Sequence, residues 1–145
     1  HLVSNQPRTK LHSQYDHGPH SRAAKIRGRE PVLIHPGDAR ARGIQDGDLV
    51  RVFNDRGACL AGAVVTERVR PEVLVMATGS WFSPAEPGEP GSLEVHGNPN
   101  VLTPDHGTSG IAQGPSPMSC LVQIERFEGE PPPIGVLEPP PFATR

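Results

Sequence analysis

A chain of 145 residues is long enough for one domain with a modest core, and 16 Gly, 18 Pro and 4% aromatic residues leave little room for long helices. Its formal net charge of −2 argues against the broad basic footprint of a DNA- or RNA-binding protein. No apolar run approaches the ~18 residues of a membrane-spanning helix, and Cys59 and Cys120 fit no CxxC metal or redox spacing, so in apolar strands they read first as buried small hydrophobes.

The charge is unevenly placed. Between Arg8 and Arg42 lie eight basic residues, Arg8, Lys10, Arg22, Lys25, Arg27, Arg29, Arg40 and Arg42, against three acids, Asp16, Glu30 and Asp38. A local anion site near the N-terminus fits this better than a polyanion partner for the whole protein. The chain begins at His1 with no methionine and no leader, which reads as a piece of a longer protein and leaves the compartment open between cytoplasm and periplasm.

In chain order, residues 1–30 read as a short strand at Leu2 and Val3 followed by an extended, polar, basic loop. "PVLI" (31–34) is a short buried strand. Asp38 can cap a short helix that Gly43 ends in a left-handed conformation. After a turn at Asp46-Gly47-Asp48, read as structural, a strand follows with Leu49, Arg51 and Phe53 on one face and Val50 and Val52 on the other. "NDRG" is a hairpin turn, "ACLAGAVVTE" the returning strand, and Val73–Met76 a run apolar enough to be buried on both faces. Residues 79–99 hold eight Gly or Pro, together with Trp81 and Phe82, in a loop long enough to suggest function. "MSCLVQIERFE" is the last strand, and residues 128–145 form a Pro-rich tail, extended or disordered. Short strands without a sustained helical period predict an all-β barrel or sandwich.

At "IHPGDARARGIQDGDLVRVFNDRGACLAGAVVTERVRPEVLVM" the pattern resembles half of a double-psi β-barrel. Three flanking motifs, "SNQPRTKLHSQ" (Ser4–Gln14), "GSWFSP" (Gly79–Pro84) and "NPNVLTPDHGTSGIAQGP" (Asn98–Pro115), occur in the order seen in the C-terminal domain of molybdopterin oxidoreductases. They are most similar to the branch that reduces dimethyl sulfoxide, trimethylamine N-oxide and biotin sulfoxide. The resemblance covers residues 1–127 and implies a mainly β fold, a six-stranded double-psi β-barrel with one or two short helices and long loops. It implies the cofactor-binding part of an enzyme that reduces a small S-oxide or N-oxide by oxygen-atom transfer. The cofactor implied is molybdenum-bis(molybdopterin guanine dinucleotide), completed by preceding domains of the same polypeptide. The metal ligand and catalytic residues would lie in those domains, so this chain alone would be inactive.

Carried over by position, Ser4, Lys10, Leu11 and His12 resemble the cofactor-contacting run, with Asn5 and Ser13 beside them. Asn100 resembles a pterin-contacting asparagine, and Gln113 and Gly114 stand where a further contact is expected, with Met118 and Ser119 as neighbours. The residue types suit the task. Pyrophosphate is held by hydroxyl, ammonium and backbone N–H donors, here Ser4, Ser13 and Lys10 with Arg8 at hand. Amides such as those of Asn5, Gln6 and Gln14 both donate and accept, as guanine and pterin edges require. The resembled branch often carries Arg at the place of Lys10, and lysine lacks its bidentate fork.

Taken singly, these features have plain structural readings: a solvated polar loop, a turn residue at Asn100, a loop anchor at Trp81. A metal site at His12, Asp16, His17 and His20 fails on spacing, with Gly18-Pro19 intervening. Asp105, His106 and Ser109 lack a GxSxG elbow and crowd one loop, against a hydrolase triad. A second class of function, a non-catalytic double-psi barrel adaptor, gives no reason for the motifs at 4–14 and 98–114.

Overall fold

The computed structural model describes residues 1–116 and 120–139. Six strands share one sheet: β1 (Leu2–Val3), β2 (Pro31–Ile34), β3 (Leu49–Phe53), β4 (Ala58–Val65), β5 (Leu74–Met76) and β6 (Gln123–Arg126). Their order is β1-β5-β2-β4-β3-β6. β1 lies parallel to β5 and β2 parallel to β4, while β5 against β2, β3 against β4 and β3 against β6 are antiparallel. The outermost strands, β1 and β6, share no ladder among the described residues. One bridge, Leu2 with Cys120, links β1 to the chain just ahead of β6, through Leu2 N–H and the Cys120 carbonyl at 2.9 Å. The sheet has the six strands expected, but it is not closed.

The strands form where local sequence demands them. Val50 and Val52 are fully buried and face a core shared with Val32, Ile34, Ala61, Ala63, Met76 and Leu102. The other face of β3 holds Arg51, whose guanidinium lies 4.4 Å from the centre of the Phe53 ring and bonds Glu125 of β6 at 3.0 Å. A smaller cluster, Leu49, Leu60 and Val95, packs with Leu93, Phe127 and Ile134. β4 contributes to both clusters, so Ala58–Ala63 is buried without a break, as for a strand covered on both sides. β5 departs from expectation: Leu74 and Met76 are buried but Val75 between them is half-buried, so the strand alternates. Cys59 and Cys120 are both buried and free.

Two six-residue helices accompany the sheet, α1 (Pro19–Ala24) and α2 (Pro36–Ala41). α2 is capped by His35, whose Nδ1 accepts from Gly37 N–H at 3.1 Å, and not by Asp38. Asp38 sits inside the first turn, where its Oδ2 accepts the Glu72 N–H at 2.6 Å. The predicted left-handed Gly43 follows, with φ of 65°. α1 interrupts what the sequence suggests is one extended loop; Pro19 starts it, because an N-terminal helical position needs no N–H. No described helix is long and apolar enough to cross a membrane. Of the tail, Ile134 packs into the smaller cluster and the Pro132 carbonyl accepts from Arg29 at 2.7 Å; residues 140–145 lie outside the described residues, as do Met118 and Ser119.

Leu60 joins sheet to loop with no exposed surface. Leu60→Ala should lower unfolding free energy by about 2–5 kcal/mol in urea titration. The same truncation of Leu121, which is 69% exposed, should change it by less than about 0.5 kcal/mol.

Candidate functional site

Four charged side chains from separate segments meet at the start of β2. Lys10 Nζ lies 2.8 Å from Asp16 Oδ1 and 2.7 Å from Glu30 Oε2, and Lys25 Nζ lies 2.9 Å from each. The side chains of Lys10 and Asp16 are fully shielded from solvent, and those of Lys25 and Glu30 nearly so. Ser80 Oγ completes the cluster, accepting from Lys10 at 3.3 Å and Lys25 at 3.4 Å and donating to Glu30 at 2.8 Å. Each ammonium therefore has three acceptors for its three N–H bonds, and two positive charges meet two negative ones. That balance is what lets charge stay away from water, since an unpaired buried ion would cost several kcal/mol.

Asp16 ties in two more groups. It accepts the Trp81 N–H at 2.8 Å and the Ser21 hydroxyl of α1 at 3.3 Å. Burial works against its ionisation, but the bonds from Lys10, Trp81 and Lys25 outweigh that and hold its carboxyl at about 2. Glu30 is lowered as well: burial opposes, and the Lys25 charge and the Lys10 bond prevail. His96, fully buried, has its pKa lowered by burial and then by Lys25. It is neutral at pH 7, so its Nδ1–H donates to the Trp81 carbonyl at 3.0 Å, the partner being an obligate acceptor. The 3.7 Å approach of His96 to Asp16 is not an ion pair in that state.

A second carboxylate braces the long loop. Glu94 Oε1 accepts from Ser83 at 3.1 Å and His96 at 3.0 Å, and Oε2 from Gly97 and Asn98 at 2.7 Å each. Burial raises the Glu94 pKa, against four backbone donors that favour its ionised form. Asn98 Nδ2 donates to the Ser80 carbonyl at 2.8 Å, so the turn before Asn100 is joined to the cluster of lysines. Gly79, with φ of 92°, passes so close to the His12 carbonyl that a Cβ there would collide with it.

The sequence-predicted residues separate into three groups. Lys10 is buried, with all its donors engaged inside the protein, and Ser4 is buried beside β1. Leu11, His12 and Ser13 are exposed on a turn closed by Leu11 and Gln14, which exchange N–H bonds at 3.2 and 2.8 Å. The Ser13 carbonyl accepts the Trp81 indole N–H at 2.7 Å, His17 stacks on that indole at 6.1 Å, and Asn5 accepts from Thr78 through its carbonyl at 2.9 Å. Asn100 is exposed at the 3-10 helix Pro99–Leu102. Gln113 and Gly114 lie on a separate loop closed on itself by Thr108 N–H to the Gly114 carbonyl at 2.8 Å; among the described residues no hydrogen bond ties it to the turns at 11–14 and 98–100. Ser116 bonds His106 Nδ1 at 3.1 Å, and among the described residues no three His, Cys, Asp or Glu gather as a metal would need. Sequence reasoning missed Asp16, Lys25, Glu30, Ser80, Glu94 and His96. The one available signal was the presence of two acids among the lysines of a loop otherwise basic.

The sheet and its two braced polar turns define a β domain built to present loops. Residues 1–121 match the family described as Molydopterin dinucleotide binding domain, and the chain belongs to that family. It is 51% identical over 130 residues to a biotin sulfoxide reductase of Cereibacter sphaeroides, covering 90% of this chain and 17% of the relative. It is 51% identical over 130 residues to trimethylamine-N-oxide reductase 1 of Escherichia coli (strain K12), covering 89% and 15%. It is 42% identical over 140 residues to a dimethyl sulfoxide/trimethylamine N-oxide reductase of C. sphaeroides, covering 97% and 17%. The chain thus spans 15–17% of the length of these relatives. Among solved structures, acetylene hydratase from Pelobacter acetylenicus has the same fold at a TM-score of 0.66 and 18% identity, over 87% of this chain and 18% of that one.

The lowered carboxyls set an acid limit. Asp16 ionises at about 2 in the folded protein against its ordinary 3.8, so its stabilisation is complete above 3.8 and is lost as pH falls toward 2; Glu30 acts in the same direction. Thermal melting should therefore drop steeply across that interval. Asp16→Asn should be less stable by about 3–5 kcal/mol at neutral pH, with a flatter acid limb.

Proposed function

We propose that this chain is the cofactor-binding C-terminal domain of a molybdenum oxidoreductase that reduces S-oxides or N-oxides, and that it holds the guanine dinucleotide and pterin part of a bis(molybdopterin guanine dinucleotide) cofactor. The observation that carries this is that the exposed turn at 11–14, through Lys10 just before it, and the turn that ends in exposed Asn100, through Asn98, are braced to the same residue, Ser80. The kinship with sulfoxide and N-oxide reductases at 42–51% identity supports the substrate class. The double-psi barrel is the finer form of the fold that we propose, with the Leu2–Cys120 bridge as its seam.

The donor set fits a dinucleotide. Asn5, Gln6 and Asn100 are exposed amides able to pair with a base or pterin edge. His12 and Ser13 are exposed, and their backbone N–H groups enter no hydrogen bond among the described residues, so they are available to phosphate oxygens. Two buried side-chain atoms near the same loop, Thr78 Oγ1 and His96 Nε2, have no partner among the described residues. When bound, molybdenum supplies the two-electron chemistry of oxygen-atom transfer. This chain's residues bind and orient the organic part, while preceding domains provide the metal ligand, the rest of the cofactor pocket and the site for a small S-oxide or N-oxide.

Titration of the protein with guanine nucleotides, followed by NMR, tests the reading. Shifts are expected at Asn5, Leu11–Ser13 and Asn100, with weak affinity of about millimolar, because a partial site offers few contacts. A folded protein with no response at these residues would refute the reading.

A further inference from the structure

Lys10 invites the role of phosphate ligand, because it is a cation inside an otherwise suitable polar loop. The geometry argues otherwise. Its ammonium is enclosed, and its three N–H bonds point to Asp16, Glu30 and Ser80 at 2.8, 2.7 and 3.3 Å. Turning it toward a phosphate would leave two buried carboxylates facing Lys25 alone. Breaking a buried, balanced set of charges costs more than a solvent-shared phosphate contact returns. The quartet is electrically neutral, so it offers an approaching pyrophosphate little net attraction.

What the quartet does is fix backbone. Lys10 and Asp16 flank the Leu11–Gln14 turn, and Asp16 also holds the Trp81 N–H while the Trp81 indole holds the Ser13 carbonyl. Glu30 anchors the same pair of lysines to the start of β2, where Glu30 N–H meets the His96 carbonyl at 3.0 Å and the Glu30 carbonyl accepts from Gly62 at 3.0 Å. His12, at φ of 51°, and Tyr15, at φ of 66°, hold left-handed backbone that non-glycine residues adopt with strain. A turn with one such residue inside it and another directly after it needs outside restraint, and the quartet supplies it from both ends.

We propose that Lys10 is a positioning residue: with Lys25, Asp16 and Glu30 it locks the 11–14 turn against Ser80 and Trp81, and thereby presents His12 and Ser13 to the dinucleotide without itself contacting phosphate. The proposal rests on the cofactor reading above.

The two roles predict opposite signs when an acid is removed. In the cofactor-free full-length protein, Glu30→Gln and Asp16→Asn keep both ammonium groups and release them from their partners. A direct phosphate ligand would then bind guanosine diphosphate as tightly or tighter. A positioning residue predicts weaker binding, by about tenfold, together with hydrogen–deuterium exchange that rises more at 11–17 and 80–82 than the global destabilisation raises it in β3 and β4. Lys10→Met should show the same two effects, and Lys10→Arg should restore both together. The proposal is overturned if the acid variants bind the nucleotide at least as well as wild type, or if Lys10→Met loses binding while exchange at 11–17 stays as in wild type. Should Lys10→Met fail to fold, Glu30→Gln, which retains every cation, carries the same test. A wild-type protein that binds no guanosine diphosphate refutes the cofactor reading itself, whereas binding that survives in wild type and strengthens in Glu30→Gln refutes the positioning role alone.

Discussion

Two ammonium groups and two carboxylates share a space closed to water, and the arrangement of the loops follows from their need to stay together. The contacts span the chain: Lys10 reaches Ser80, 70 residues on, and Ser80 reaches back to Glu30, 50 residues before it. Apolar packing is non-directional and tolerates sliding. A buried ion set does not, because each N–H and each lone pair must find its partner at one geometry. The core of β2, β3 and β4 gives the sheet its stability, and the quartet dictates where the segments before β2 and after β5 must lie.

That division explains how a chain with so little regular structure keeps defined loops. Residues 79–98 contain no helix and no named strand, yet Glu94 collects four backbone N–H groups of its own loop, and Asn98 is bonded to Ser80. Side-chain carboxylates here do the work that ladder hydrogen bonds do elsewhere: they satisfy backbone donors that would otherwise be buried alone. Gly97, with φ of 95°, fits against Glu30 where a Cβ would collide, so the two braced carboxylates are also packed through one glycine.

What the sequence made legible was the part governed by near neighbours. Alternation in Leu49–Phe53, the turn chemistry of "NDRG" and the apolar run of Val73–Met76 are local signals, and the strands fall where those signals put them, β5 starting one residue later at Leu74. The Asp46-Gly47-Asp48 turn was legible too: Asp46 accepts the Val65 N–H at 2.9 Å and Asp48 the Gln45 N–H at 2.8 Å, both structural tasks. α1 was hidden because its six residues, "PHSRAA", are too few to carry an apolar period. The cap of α2 was misassigned because a histidine at its tautomer-dependent nitrogen can serve where Asp or Ser usually does. Lys10 shows the deeper limit. A lysine in a polar loop looks solvent-facing by its neighbours, and its burial depends on Asp16, Lys25, Glu30 and Ser80, whose convergence no spacing announces.

The bracing also separates the candidate contacts by rigidity. The turn at 11–14 and the turn at 98–100 are both fastened to Ser80, so a ligand touching both meets one body whose shape is fixed before binding, which lowers the ordering entropy that binding must overcome. The loop with Gln113 and Gly114 is fastened chiefly to itself, and Gln113 holds a left-handed φ of 49° on a fully exposed stretch. A contact from that loop would have to be ordered by something beyond its own hydrogen bonds. The turns at 11–14 and 98–100 are therefore held by side chains of this sequence itself, whereas among the described residues no hydrogen bond holds the 107–115 loop to either of them.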